Sequence, residues 1–289
     1  MMTAMRRNTK PPLKQVTPRP NFLAPPVIEV ALAVQFDALP ELGAAETGAL
    51  WSRYRKEYPE TEDQPPIPQA TESFDPPRPK AVKFKVVQGV PAIRCWFKNR
   101  IGTELIQVQQ DRFVFNWRQH GSGESYPRYE QVRAKFETHF RTFERFLKSR
   151  RIGLIIPNQC TVTYVNNISP GKNWKRYGQL KNIFSVWSGR HSDKFLGEPE
   201  EIEFRTRYRI LDDDGLPIGR LHVEAEPRIR SDDGSPLIHV ALTARGKPLG
   251  GGLDGILAFF DIGREHVVRG FTSITTKNMH DQWGRTDAS

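Results

Sequence analysis

Apolar side chains recur along the chain with two periods, and the switches between them mark out its elements. Over residues 25–36, Ile28, Val30, Leu32, Val34 and Phe36 alternate with Glu29, Ala31, Ala33 and Gln35, the period of two expected of a half-buried strand. Leu50, Trp51, Tyr54 and Tyr58 then fall at helical spacing, and a Pro-rich acidic stretch at 59–79 ends that helix and reads as an exposed loop. Three strands are predicted near 81–87, 91–98 and 104–118, the last broken around Gln110 and Asp111. After a turn at 121–123, Val132, Phe136, Phe140, Phe143 and Leu147 step by three or four and predict a long amphipathic helix.

The same series then begins again. Thr161, Val162, Thr163, Tyr164 and Val165 form a strand-like run after Pro157, and Leu180, Ile183, Phe184 and Trp187 follow at helical spacing. Strands are expected at 201–211, 217–226 and 237–245, with Asp214 and Gly215 as a hairpin turn between the first two. Glycines at 250–252 lead into the stripe of a closing helix, Ile256, Phe260, Gly263, Val267, Phe271 and Ile274. At a lag of about 132, Pro25, Val30, Leu105 and Ile106 recur as Pro157, Val162, Leu237 and Ile238, a spacing too long for a solenoid repeat. The fold class read from this is α+β, a tandem duplication of a strand, helix, antiparallel strands and long helix unit. A disordered basic arm (1–20) is expected to precede two lobes, 21–152 and 153–289. By pattern the whole resembles helix-grip or TATA-binding-protein-like duplicated folds.

Strand parity picks out the candidate binding residues. In the second half it sets Phe204, Thr206, Tyr208 and Ile210 toward a helix and leaves Arg205, Arg207 and Arg209 on the opposite face. Arg220 and His222, then His239, Thr243 and Arg245, join that face from the following strands, and the first half adds Arg94, Gln107, Gln109, Arg112, Asn116 and Arg118. One reading is a solvated face held by cross-strand ion pairs, with Arg205 beside Glu224 and Glu226. The other is a platform for an anionic partner, nucleic acid or an acidic protein, because a guanidinium fork suits phosphate and carboxylate. Stacking of bases there would need Trp96 or Tyr164 to reach the surface.

Net charge is +10, from 43 Lys and Arg against 33 Asp and Glu, but Arg6, Arg7, Lys10, Lys14 and Arg19 in the arm supply half of it. The remaining body is only mildly basic. Two cysteines, Cys95 and Cys160, exclude a disulfide framework and fit a cytoplasmic protein, and nowhere do about 18 apolar residues run together, as a membrane span would need. Enzyme signatures are absent: there is no GxxxxGK[ST], no HExxH and no paired CxxC. His222 and His239 invite a metal reading that the scatter of the histidines weighs against. The glycines at 250–252 suit a flexible connection better than a phosphate cradle, and His120, Ser122 and Glu124 lack the context of a nucleophile elbow. No catalytic residue, metal or cofactor is assigned.

The segments PPVIEVALAVQF, GTELIQVQQDRFVFNWR, NQCTVTYVNNI, FRTRYRI with PIGRLHVEAEP, and VRGFTSITTKNMHDQWGR together resemble a sporadically distributed bacterial family of uncharacterised proteins. The resemblance covers nearly all of the chain after the basic arm and carries no activity to transfer. Patchy occurrence of that kind fits mobile or defence-associated genes. The expectation is therefore a non-enzymatic binding protein that meets an anionic partner on an open, arginine-rich sheet face. A small-molecule sensor with a cavity between helix and sheet, and an enzyme with an unrecognised site, are the alternatives.

Overall fold

A computed structural model of the chain describes residues 18–74, 93–121 and 124–287. Its elements are β1 (Pro20–Phe22), β2 (Val27–Phe36), α1 (Ala44–Trp51), β3 (Glu60–Gln64), β4 (Arg94–Lys98), β5 (Glu104–Gln109), β6 (Arg112–Arg118) and α2 (Tyr129–Arg150). There follow β7 (Pro157–Ile168), β8 (Phe204–Leu211), β9 (Pro217–Ile229), β10 (Pro236–Gly246), α3 (Gly252–Ile274), α4 (Lys277–Gln282) and β11 (Arg285–Asp287). Nine strands form one antiparallel sheet in the order β3-β4-β5-β6-β2-β7-β10-β9-β8, and β1 pairs separately with β11. The architecture is thus α+β, dominated by a large antiparallel sheet. Most of the basic arm, the strand expected at 81–87 and Ser122 lie outside the described residues.

The alternation in the sequence explains which face is covered. Val30, Leu32, Val34 and Phe36 of β2 and Val240, Leu242 and Ala244 of β10 are fully buried beneath α2 and α3. On α2, the stripe Phe136, Phe140 and Phe143 meets Phe113 of β6 with ring centroids 5.2–5.8 Å apart. These rings fill the space between the middle of α2 and β6, so a cavity of the kind the sensor reading expects is not at the Phe136–Phe143 stripe. Asp261 of α3 ties the helices together by accepting from Tyr129 and Arg133 of α2. Gly246 pairs with Gly219, and a Cβ at either position would strike the Phe259 ring, so these glycines let α3 lie close to the sheet.

Three expectations change. Over its described residues the stretch at 59–79 is exposed for the most part but not simply a loop: it begins as edge strand β3, and residues 65–74 then cross the sheet face opposite the helices. The helix expected from Leu180, Ile183, Phe184 and Trp187 is a short 3-10 turn, Tyr177–Asn182, after which Phe184 bridges to Thr275. Apolar spacing there reports burial, which an irregular segment also satisfies. The lag of 132 is not kept throughout: Val30 and Val162 lie on the adjacent central strands β2 and β7, but Leu105 and Ile106 belong to β5 whereas Leu237 and Ile238 belong to β10.

Candidate functional site

The face away from α2 and α3 carries two rows of polar side chains that run across the strands. Cross-strand register places Arg112 of β6 between Gln109 of β5 and Gln35 of β2, with Gln159 of β7 beyond. The second row has small residues at its centre, Val114, Ala33 and Thr161, and continues through Arg245 of β10 and Arg220 of β9 to Arg209 of β8. Three arginines directly opposite one another would repel, because like charges across paired strands are destabilising. An anion is needed to hold such a ladder together.

The chain supplies one itself. Residues 65–74 lie over the first row as a strap whose prolines, Pro65, Pro66 and Pro68, have no N–H to satisfy. The N–H groups of Ile67, Ala70 and Glu72 donate to the side-chain oxygens of Gln109 (2.9 Å), Gln35 (3.0 Å) and Gln159 (2.9 Å). Gln109 also returns its amide to the Ile67 carbonyl, and Arg112 donates to the Pro68 carbonyl. Glutamine side chains here do the work of a neighbouring strand. From Ile67 to Phe74 the strap passes β5, β6, β2, β7, β10 and β9 in order. Seven extended residues reach about 24 Å, which matches five inter-strand steps of about 4.8 Å.

The strap ends on its carboxylate. Glu72, with a side chain only 6% exposed, accepts from Arg220, from His222 Nε2 at 2.5 Å and from Arg245 at 3.5 Å. The Arg220 guanidinium lies over the Phe74 ring, 4.9 Å from its centroid, and donates to the Ser73 carbonyl. A buried carboxylate among three donors is well compensated, whereas removing it would leave the cations facing one another.

No protein-family model matches the chain, and neither does any curated protein or solved structure. What the face does must therefore be read from its residues. Of the binding residues predicted, Arg220, His222 and Arg245 converge on Glu72. Arg205, Arg207 and Arg209 stay exposed on the edge strand β8, where Arg205 reaches only to 3.9 Å from Glu224. Arg94 and Gln107 join a different cluster, in which both Arg94 and Trp96 donate to the Gln107 side-chain oxygen. Arg94 and Arg118 flank the Trp96 ring at 5.3 and 5.8 Å, and Arg118 donates to the Gly102 carbonyl. His239 stands apart, bonded to Asn167 and opposite Glu226, so the two histidines do not converge as a metal pair. Burial together with the nearby Arg228 keeps the His239 pKa below its ordinary value.

The other candidates fall into local roles. Tyr164 is buried on the helix side against Tyr126, so it is no stacking platform. His120 receives the Glu124 carboxylate at its backbone N–H, a turn contact. Gly250 (φ +106°) and Gly252 (φ +60°) form the turn into α3. Glu72, Gln35 and Gln159 escaped the sequence reading. Their signal was present: glutamines at outward positions of central strands are unusual company for Ala31 and Ala33 unless something covers them.

Proposed function

We propose that this is a non-enzymatic binding protein whose sheet face receives an extended acidic polypeptide segment, with residues 65–74 as its resident occupant. The observation that carries this is the seating of Glu72 on Arg220, His222 and Arg245 at the end of a backbone read by three glutamines. Three glutamine oxygens that accept from backbone N–H groups, with Gln109 and Arg112 donating to the intervening carbonyls, suit a peptide backbone, which nucleic acid lacks. The exposed Arg205, Arg207 and Arg209 extend the cationic surface past the strap, where a longer acidic partner would continue. The strand order supports a separate proposal, a duplicated ancestry: in β3-β4-β5-β6-β2-β7-β10-β9-β8, the opening strands β2 and β7 are adjacent at the centre, with β6 and β10, the last strands before α2 and α3, on either side.

The test is fluorescence anisotropy with a labelled peptide of residues 61–74, added to the full chain and to Glu72→Ala. A strap that competes in cis lowers apparent affinity in proportion to its occupancy, so Glu72→Ala is expected to bind the peptide about tenfold more tightly. Arg220→Ala combined with Arg245→Ala should abolish the signal. Equal affinity of the two chains for the peptide, or tight binding of DNA oligonucleotides with a steep salt dependence instead, would overturn the proposal.

A further inference from the structure

Between strap and sheet lies a cavity of about 180 Å³, with Ala31, Ala33 and Val114 in its floor and Ile67 and Ala70 of the strap above. A single water needs only about 15 Å³ of such space, so this is room for a small molecule. Its rim is rich in donors. Gln159 is 2% exposed, its oxygen is taken by Glu72 N–H, and its Nε2 has no hydrogen-bond partner among the described residues. Arg112 also lines the cavity and has a buried Nε without a partner, as does the neighbouring Arg94. Acceptors on the rim are already engaged: the Gln35 oxygen takes Ala70 N–H and Arg112, and the Gln107 oxygen takes Arg94 and Trp96.

Charge points the same way as the hydrogen-bond inventory. Among the described residues no carboxylate pairs with Arg94 or Arg112, and Glu72 is committed to Arg220, His222 and Arg245. Burial lowers the Arg112 pKa from its ordinary value, and, although Asp111 opposes it, Arg245 and Arg94 push it the same way. Half-buried guanidiniums that repel one another, each with a buried Nε unspent, describe a site short of an anion.

We propose that this cavity binds a small organic oxyanion, its oxygens on Arg112, Gln159 and Arg245 and its apolar part over Ala31, Ala33 and Val114. The site is distinct from the acidic-segment face, because its ligand sits beneath the strap instead of replacing it. Carboxylates and phosphates share the required chemistry, and two probes separate them.

Isothermal titration of the full chain with sodium benzoate and, separately, with phenyl phosphate at constant ionic strength provides the test. At least one is expected to saturate at a single site. Arg112→Gln and Gln159→Leu should each weaken it about tenfold, the loss of a charge-assisted or buried hydrogen bond. Ala33→Leu, which fills the floor without touching a charge, should abolish it, and thermal unfolding of each variant confirms that it folds. Hydrogen exchange discriminates the two functional readings: a ligand under the strap slows exchange at Ala70 and Glu72, whereas a segment that displaces the strap speeds it. Saturation by neither probe, an affinity indifferent to Arg112→Gln and Gln159→Leu, or faster strap exchange would overturn the cavity proposal and leave the peptide result standing on its own.

Discussion

Acidification from neutral pH to pH 4 is expected to cost this fold about 3 kcal/mol through His139 alone. His139 sits on the inner side of α2, 7% exposed, with its ring against Tyr54, Tyr58 and Phe115. Its Nε2 lies 2.8 Å from the Tyr58 hydroxyl, which donates to Glu104 at 2.9 Å, and Lys135 bonds the same carboxylate. One proton assignment satisfies every group: neutral His139 donates from Nε2 to the Tyr58 oxygen, and Tyr58 donates onward. Burial drives the histidine pKa from 6.5 down to about 4, against the attraction of Glu104 and with the help of Lys135. Between those values the unfolded chain binds a proton that the folded chain refuses. Stability is therefore full above pH 6.5, falls as pH drops through the window and has lost the whole contribution below pH 4. Glu29 works in the opposite sense, since burial raises its pKa and protonation relieves it. Urea unfolding of the native chain and His139→Gln across this range isolates the histidine: the difference between them should shrink as pH falls. Parallel curves would show that His139 is charged or solvated in the fold.

Most of the sheet could be read from the chain in advance because each strand records its own burial locally. β2, β9 and β10 alternate cleanly, the break at Gln110 and Asp111 falls between β5 and β6, and the turn before β9 is set by Gly215 at φ +82° with Asp212 capping its N–H groups. The arginines of β8, β9 and β10 were placed on the right face by parity alone. The strap was not legible for a physical reason. Its prolines and acids have no local period, and its hydrogen bonds run to Gln35 and Gln159, 35 and 87 residues away in sequence. Nothing within 65–74 distinguishes a solvated loop from a segment whose backbone is satisfied by distant side chains. The consequence for function is large, since the face expected to be open is covered over Arg112, Arg220, His222 and Arg245, while Arg205, Arg207 and Arg209 remain exposed as expected.

Phe136→Ala is expected to destabilise the protein by about 3–5 kcal/mol, the range for removing a large aromatic ring from a closed core. Phe136 is fully buried and stacks on Phe140 at 5.4 Å, meets Phe113 of β6 edge-on at 5.8 Å and meets Phe260 of α3 edge-on at 4.8 Å. It therefore joins three elements, the two long helices and the sheet, and a ring lost there removes contacts on every side while its neighbours are held by their own helices. The urea midpoint should fall with little change in slope, since the surface exposed on unfolding is nearly the same. The site on the opposite face should respond otherwise. Strap and cavity rest on glutamine and arginine side chains that point away from α2, so Phe136→Ala at a temperature where it remains folded should keep its oxyanion and peptide affinities, while Arg112→Gln should lose oxyanion affinity and keep most of its stability. Loss of binding in Phe136→Ala under folded conditions would mean that the sheet transmits packing on its helix side to the strap, and that the two faces are one cooperative unit.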